Sequence, residues 1–157
     1  MADVKEINEL FRQHGRTLGS VESFTGGLFA KEITAVSGAS HFYKGGLVTY
    51  ATEEKNRLIG IPYEVIDEFG VVSKEVASLM AANGQKTLNV DYCVSFTGNA
   101  GPEAMEGKPV GEVYIAIATF NGVNVYGYQL EGSREEIQRK GVELALNLLK
   151  KSLFENN

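Results

Sequence analysis

The chain contains one cysteine, Cys93, so it cannot close an internal disulfide, and a reducing compartment is expected. Cys93 sits in the apolar run Tyr92-Cys93-Val94, which points to a buried thiol rather than a nucleophile. Only two histidines are present, His14 and His41, so no His-rich metal cluster can be assembled, and no metal site is expected. A serine–histidine triad would have to use His41, whose setting in GASHFYKG reads more simply as a turn. No run approaches the ~18 apolar residues of a membrane span, and the opening MADVKEINELFRQ is charged and amphipathic rather than signal-like. Basic residues do not predominate: 15 Lys and Arg against 20 Asp and Glu give a net charge of −5. No basic stripe is left to meet phosphates, so nucleic acid is not an expected partner. These exclusions leave a cytoplasmic protein with no membrane partner.

What is present is an ordinary globular balance, 43% hydrophobic and 22% charged, over 157 residues, enough to bury a core without staples. Low-complexity linkers and internal repeats are absent, so residues 1–157 read as a single domain. Val4, Ile7, Leu10 and Phe11 share one face of an opening helix. Strands are expected from Leu18, over Tyr43 to Tyr50, over Tyr92 to Phe96, and over Val113 to Ala118 and Val123 to Leu130, the last two joined by an Asn121-Gly122 hairpin turn. Short helices are expected from Ala51, capped by Thr52, and over Glu64 to Phe69. Ser73 caps a longer helix through Leu88, and Ser133-x-x-Glu136 is a capping box for the last one. Strands alternating with helices early and a hairpin late predict an α/β fold: a three-layer α/β/α sandwich with a mixed, mostly parallel sheet.

The chemistry concentrates in segments that follow apolar strands: Ser23-x-Thr25-Gly26-Gly27, Thr49-Tyr50 with Lys55 shortly after, and Thr97-Gly98-Asn99-Ala100-Gly101-Pro102. In a mostly parallel sheet, strand carboxyl ends gather at one edge, where ligands bind. Each segment has a plainer reading: Ser23 or Thr25 as a helix N-cap, Lys55 as a solvated lysine, Thr97-Gly98 as a turn. Together they compose a serine–lysine site. Serine needs a base, and a neutral lysine can serve once burial brings its pKa from ~10.4 toward 7–8. Tyr50 could relay the proton or hold the lysine. The amides of Thr25, Gly26 and Gly27, at the mouth of a helix, would suit an oxyanion or a phosphate.

In chain order the sequence carries VESFTGG, GGLVTYATEEK, GVVS, FTGNAGP, KPVGEV and EGSR. This series resembles the family of the C-terminal domain of CinA, the competence/damage-inducible protein, whose members read approximately AESCTGG, GxVTYSNEAK, GAVS, SGIAGP, KPVGTV and SGDR. The likeness covers roughly residues 4 to 150. Stand-alone members include nicotinamide-nucleotide amidases, so the resemblance implies deamidation of nicotinamide mononucleotide without metal or other cofactor. It implies that Ser23 is the nucleophile and Lys55 its base, with Tyr50 and Thr97 lining the catalytic centre. Thr25, Gly26, Gly27, Thr49, Gly98, Asn99, Ala100 and Gly101 would shape a pocket for a pyridine nucleotide, and Arg134 would meet its phosphate. The same fold could instead act on another amide, or bind a nucleotide without catalysis, and a homo-oligomer is compatible with either. The chain departs from the pattern at Phe24 (cysteine in the family), at Asn99 (isoleucine) and at Gln138, where many relatives carry arginine. It departs most in the loop Asn99 to Gly107, which is expected to set substrate choice. There Glu103 and Glu106 would add negative charge beside the phosphate and weaken binding.

Overall fold

The computed structural model describes residues 2–156. Helix α1 (Val4–His14) begins where the Asp3 side chain accepts the Glu6 amide and stops at Gly15, whose φ of 63° suits glycine. The chain continues through β1 (Leu18–Glu22), α2 (Leu28–Thr34), a 3₁₀ turn (Ala39–His41), β2 (Tyr43–Val48), α3 (Thr52–Arg57), α4 (Tyr63–Phe69) and α5 (Lys74–Leu88). Then follow β3 (Tyr92–Gly98), β4 (Glu112–Thr119), β5 (Gly122–Gln129) and α6 (Arg134–Glu155). Ser73 accepts the Val76 amide at the start of α5, and the Ser133–Glu136 capping box forms at the start of α6. Helix α3 departs from expectation. Its N-cap is Ala51, in extended conformation, and Thr52 is the first helical residue, so no side chain caps it. Glu53 and Glu54 in the first turn instead meet the positive helix end.

The five strands lie in the order β2-β1-β3-β4-β5. Strand β1 runs parallel to both β2 and β3, and β4 runs antiparallel to β3 and β5. Four strands therefore point one way and β4 opposes them, so the sheet is mixed and mostly parallel. The hairpin pairs Thr119 with Gly122. Its turn is thus Phe120-Asn121, one residue earlier than expected, and Gly122 opens β5 at φ 117°.

Side chains alternate across the sheet and divide the core in two. Leu18, Val94, Phe96, Val113 and Ile115 pack against α1, α2 and α6, with Phe11, Phe29 and Leu149 among their partners. Val21, Cys93, Ala116 and Ala118 pack against α4 and α5, around Val76, Ala77 and Met80. Cys93 is fully buried, and desolvation pushes its thiol up to about 12, which leaves it unreactive. Among the described residues no helix is long and apolar enough to cross a membrane.

The topology brings one sheet edge into focus. The carboxyl ends of β1, β2, β3 and β5 lie there, together with the amino end of β4. Ser23, Thr49, Asn99 and Arg134 all follow those strand ends closely.

The approach of α5 to the sheet depends on Gly84, where an added Cβ would stand 2.4 Å from Val21 Cγ2 and 2.9 Å from Cys93 Sγ. Alanine would favour the helix by about 1 kcal/mol, but overpacking costs about 1–3 kcal/mol. Gly84→Ala is therefore expected to lower the thermal midpoint. A midpoint at or above that of the parent protein would show that α5 can shift outward freely.

Candidate active site

Strand alternation sets the first contact. Leu18 and Glu22 face the α2 side of the sheet, whereas Val21 faces α5. As the chain leaves β1, the Ser23 amide donates to the Phe96 carbonyl at 3.0 Å, holding the residue at the end of β3. The Ser23 hydroxyl then meets the Lys55 amine from α3, Oγ to Nζ at 3.0 Å. Lys55 Nζ also donates to the Thr49 carbonyl at 2.7 Å. Lys55 is 1% exposed, and desolvation brings its pKa down from 10.5 to about 8, against smaller opposing pulls from Glu106 and Glu53. A neutral amine has two N–H bonds and one lone pair. With the Thr49 carbonyl holding an N–H, the amine can turn the lone pair toward Ser23, the geometry a general base needs.

The helix mouth does not serve as expected. The Glu22 carboxylate accepts the amides of Gly27 at 3.2 Å, Phe29 at 3.0 Å and Ala30 at 3.1 Å. The N-cap of α2 is Gly27, not Ser23 or Thr25, and the protein's own carboxylate fills the place assigned to a bound anion. The Gly26 amide is also engaged, with the Ser23 carbonyl at 3.1 Å. Among the described residues the amides left without an acceptor in this turn are those of Phe24 and Thr25. They immediately follow Ser23 in the chain.

A cavity of about 150 Å³ opens beside Ser23, lined by Phe24, Tyr50, Gly98, Asn99, Ala100, Met105 and Arg134. Arg134, the first residue of α6, donates to the Gly101 carbonyl at 2.5 Å and to the Tyr50 hydroxyl at 2.7 Å. Tyr50 is thus bound to arginine at the rim and 59% exposed, and the Thr49 carbonyl rather than Tyr50 holds the lysine. Asn99 donates to the Glu103 carbonyl and accepts the Gly101 amide, which folds the loop onto itself. Thr97, next to Ser23 across the β1–β3 pair, does not line the cavity. It shares the β3 face of Cys93 and Ser95, toward α5, and its hydroxyl donates to the Val71 carbonyl at 2.5 Å. Thr25 is buried with its hydroxyl unpartnered, and Gly26 and Gly27 turn the chain at φ 59° and 101° without lining the cavity.

The acidic loop also differs from expectation. Neither Glu103 nor Glu106 lines the cavity. Glu106 instead accepts the Val71 amide at 2.9 Å and the Val72 amide at 3.1 Å, while Lys108 donates to the carbonyls of Phe69 and Val72. The carboxylate is a strut between the loop and the α4–α5 connection, not a charge aimed at a ligand. Met105, just before it, supplies an apolar wall of the cavity.

A family model described as the CinA C-terminal domain matches residues 2–153. The chain belongs to the CinA C-terminal domain family. A competence-damage inducible protein of Bacillus subtilis (strain 168) is 41% identical over 150 residues, 96% of this chain and 36% of that protein. One of Streptococcus pneumoniae is 42% identical over 149 residues, 94% of this chain and 35% of that protein. The chain therefore spans about a third of the length of these relatives. The competence/damage inducible protein CihA from Agrobacterium tumefaciens superposes with a TM-score of 0.91 at 33% identity, covering 96% of this chain and 92% of that one. A CinA superfamily protein from Klebsiella pneumoniae 700603 superposes with a TM-score of 0.93 at 25% identity, covering 98% and 99%.

Within this CinA-type fold three contributors escaped the sequence reading. Glu22 stands inside VESFTGG, and its one signal is a carboxylate ending an otherwise apolar strand. Gln138, noted only as a departure, donates its amide to the Phe24 carbonyl at 2.9 Å. Met105 gave no signal. No group of three or more metal-ligating His, Cys, Asp or Glu side chains occurs among the described residues.

Two outcomes follow from these contacts. The unfolded chain keeps Lys55 protonated up to about 10.5, while the folded protein releases that proton above about 8. Between these values the unfolded state binds more protons, so burial of Lys55 costs less as pH rises. Unfolding free energy of the native protein, measured relative to Lys55→Met, should rise by about 3 kcal/mol from pH 8 to 10.5. A flat difference would mean the amine is not desolvated. Glu106→Gly should lower stability by about 1–3 kcal/mol and speed hydrogen exchange at the Val71 and Val72 amides. Unchanged exchange there would remove the strut.

Proposed function

We propose that the chain is an amidohydrolase that converts nicotinamide mononucleotide to nicotinic acid mononucleotide and ammonia, with Ser23 as nucleophile and Lys55 as base. The observation that carries this reading is the 3.0 Å contact between a buried, easily deprotonated amine and a serine hydroxyl at the edge of a cavity. Ser23 Oγ attacks the carboxamide carbon as its proton passes to Lys55 Nζ. The amides of Phe24 and Thr25 receive the negative charge on the tetrahedral oxygen. The C–N bond breaks as Lys55 returns the proton to the leaving nitrogen, releasing ammonia and an ester on Ser23. Water, deprotonated by Lys55, then attacks the ester carbon, and the carboxylate leaves as Ser23 regains its proton.

Pyridine-nucleotide specificity is supported by shape and charge. The cavity is small, with Gly98, Asn99 and Ala100 along one side and Arg134 also in its lining. Two N–H groups of that guanidinium are engaged, at Gly101 and Tyr50, leaving others for a phosphate. Neither loop carboxylate lines the cavity, and Glu106 is held by Val71 and Val72.

Ammonia release from a panel of pyridine nucleotides and simple carboxamides tests the assignment. Nicotinamide mononucleotide is expected to be the preferred substrate, with kcat/KM rising with pH through about 8 because only the neutral amine accepts the Ser23 proton. Ser23→Ala should lower kcat by about 10⁴-fold or more while leaving the Kd for the nucleotide within a few-fold. Substantial amidase activity in that variant would end the covalent mechanism.

A further inference from the structure

We infer that Gln138 is a positioning residue that aims the Thr25 amide at the developing oxyanion. The inference rests on the serine–lysine reading above and concerns the peptide that joins Phe24 to Thr25. That peptide is planar and trans, so its C=O and N–H bonds point in opposite directions. Its carbonyl oxygen is fixed by the Gln138 side chain, which reaches across from α6 with Nε2 2.9 Å away. Holding the carbonyl toward α6 directs the Thr25 N–H away from that helix, and no acceptor in the described chain receives it.

The rest of the turn leaves this peptide few other restraints. The Ser23 amide is committed to Phe96, the Gly26 amide to the Ser23 carbonyl, and the Gly27 amide to Glu22. The ring of Phe24 is wedged against α6, where a Cβ added to Gly141 would lie 2.8 Å from Phe24 Cζ. That packing locates the Phe24 side chain, but rotation of the following peptide about its flanking bonds is opposed by one polar contact, the one from Gln138. A peptide rotated out of place would turn a carbonyl lone pair toward the oxyanion, converting a stabilising dipole into a repulsive one. Gln138 lies one helical turn beyond Arg134, at i and i+4 on the same face, so α6 governs both the cavity rim and the nucleophile turn.

The test compares Gln138→Met, which keeps length but lacks a donor, with Gln138→Arg, which restores N–H donors. Loss of a whole oxyanion donor costs about 10²–10³ in rate, and loss of its aim should cost about 10- to 100-fold. Gln138→Met is therefore expected to lower kcat for nicotinamide mononucleotide by that factor with KM within about two-fold, and Gln138→Arg to restore most of it. A second readout avoids the nucleotide altogether. A fluorophosphonate forms an Oγ–P bond at Ser23 with loss of fluoride, through a transition state with negative charge on the phosphoryl oxygen. Its labelling rate should fall by a similar factor in Gln138→Met and recover in Gln138→Arg. Slowed labelling in a protein that releases no ammonia from nicotinamide mononucleotide would refute the substrate and sustain the positioning role. Equal labelling rates in the native protein and Gln138→Met, or a loss confined to KM, would overturn it.

Discussion

The site depends on one constraint: a lysine amine taken out of water with no ion-pair partner among the described residues. Lys55 is 1% exposed, and its hydrogen-bond partners are a serine hydroxyl and a backbone carbonyl, both uncharged. Such a group is cheaper to bury neutral than charged, which lowers its pKa to about 8. The two nearest electrostatic influences, Glu106 and Glu53, both favour the charged form, so desolvation wins against them. A carboxylate in direct contact with Nζ would have kept the amine protonated and made the pair an ordinary ion pair.

The same economy of charge appears at the helix mouth. An unpaired set of amides at the start of α2 would attract any anion, including the phosphate of a ligand, into the wrong place. Glu22 satisfies those amides from within. The amides of Phe24 and Thr25, one and two residues beyond Ser23, are then the ones left open. Two carboxylates near the site, Glu22 beside Ser23 and Glu106 in the loop, both end on backbone N–H groups. Each stiffens a segment next to Ser23 or its cavity.

Most of the architecture could be read from local patterns. Strand runs, the Ser73 and Ser133 caps and the late hairpin are properties of a few adjacent residues, and the parallel strands gather Ser23, Thr49 and Asn99 at one edge by topology alone. Ser23 and Lys55 were legible as a pair because no histidine competed for the role. Partners far apart in sequence were not legible. Gln138 and Phe24 are 114 residues apart, and Glu106 meets Val71 across 35. The hydroxyl contact of Thr97 was not legible for a different reason: proximity to a strand end says nothing about which face a side chain takes. Its parity with Cys93 and Ser95 sends it toward α5. Tyr50 shows the same limit, since a residue next to a strand end was found at the rim, with Arg134, rather than with the lysine.

Helix α6 links these features. Its first turn is locked by the Ser133–Glu136 capping box, which fixes where Arg134 begins and hence where the guanidinium reaches Gly101 and Tyr50. One turn later Gln138 grips the Phe24 carbonyl, and Gly141, three residues on, lets the Phe24 ring approach the helix closely. Farther along, Ala145, Leu149 and Leu153 bury the helix in the core shared with α1 and the sheet. The helix is therefore anchored by apolar packing along its length while its exposed first turns meet both the ligand rim and the nucleophile turn. A displacement of α6 by a fraction of a turn would move the arginine and the Phe24–Thr25 peptide together. The cavity rim and the turn after Ser23 would then shift in step, although neither Ser23 nor Lys55 belongs to that helix.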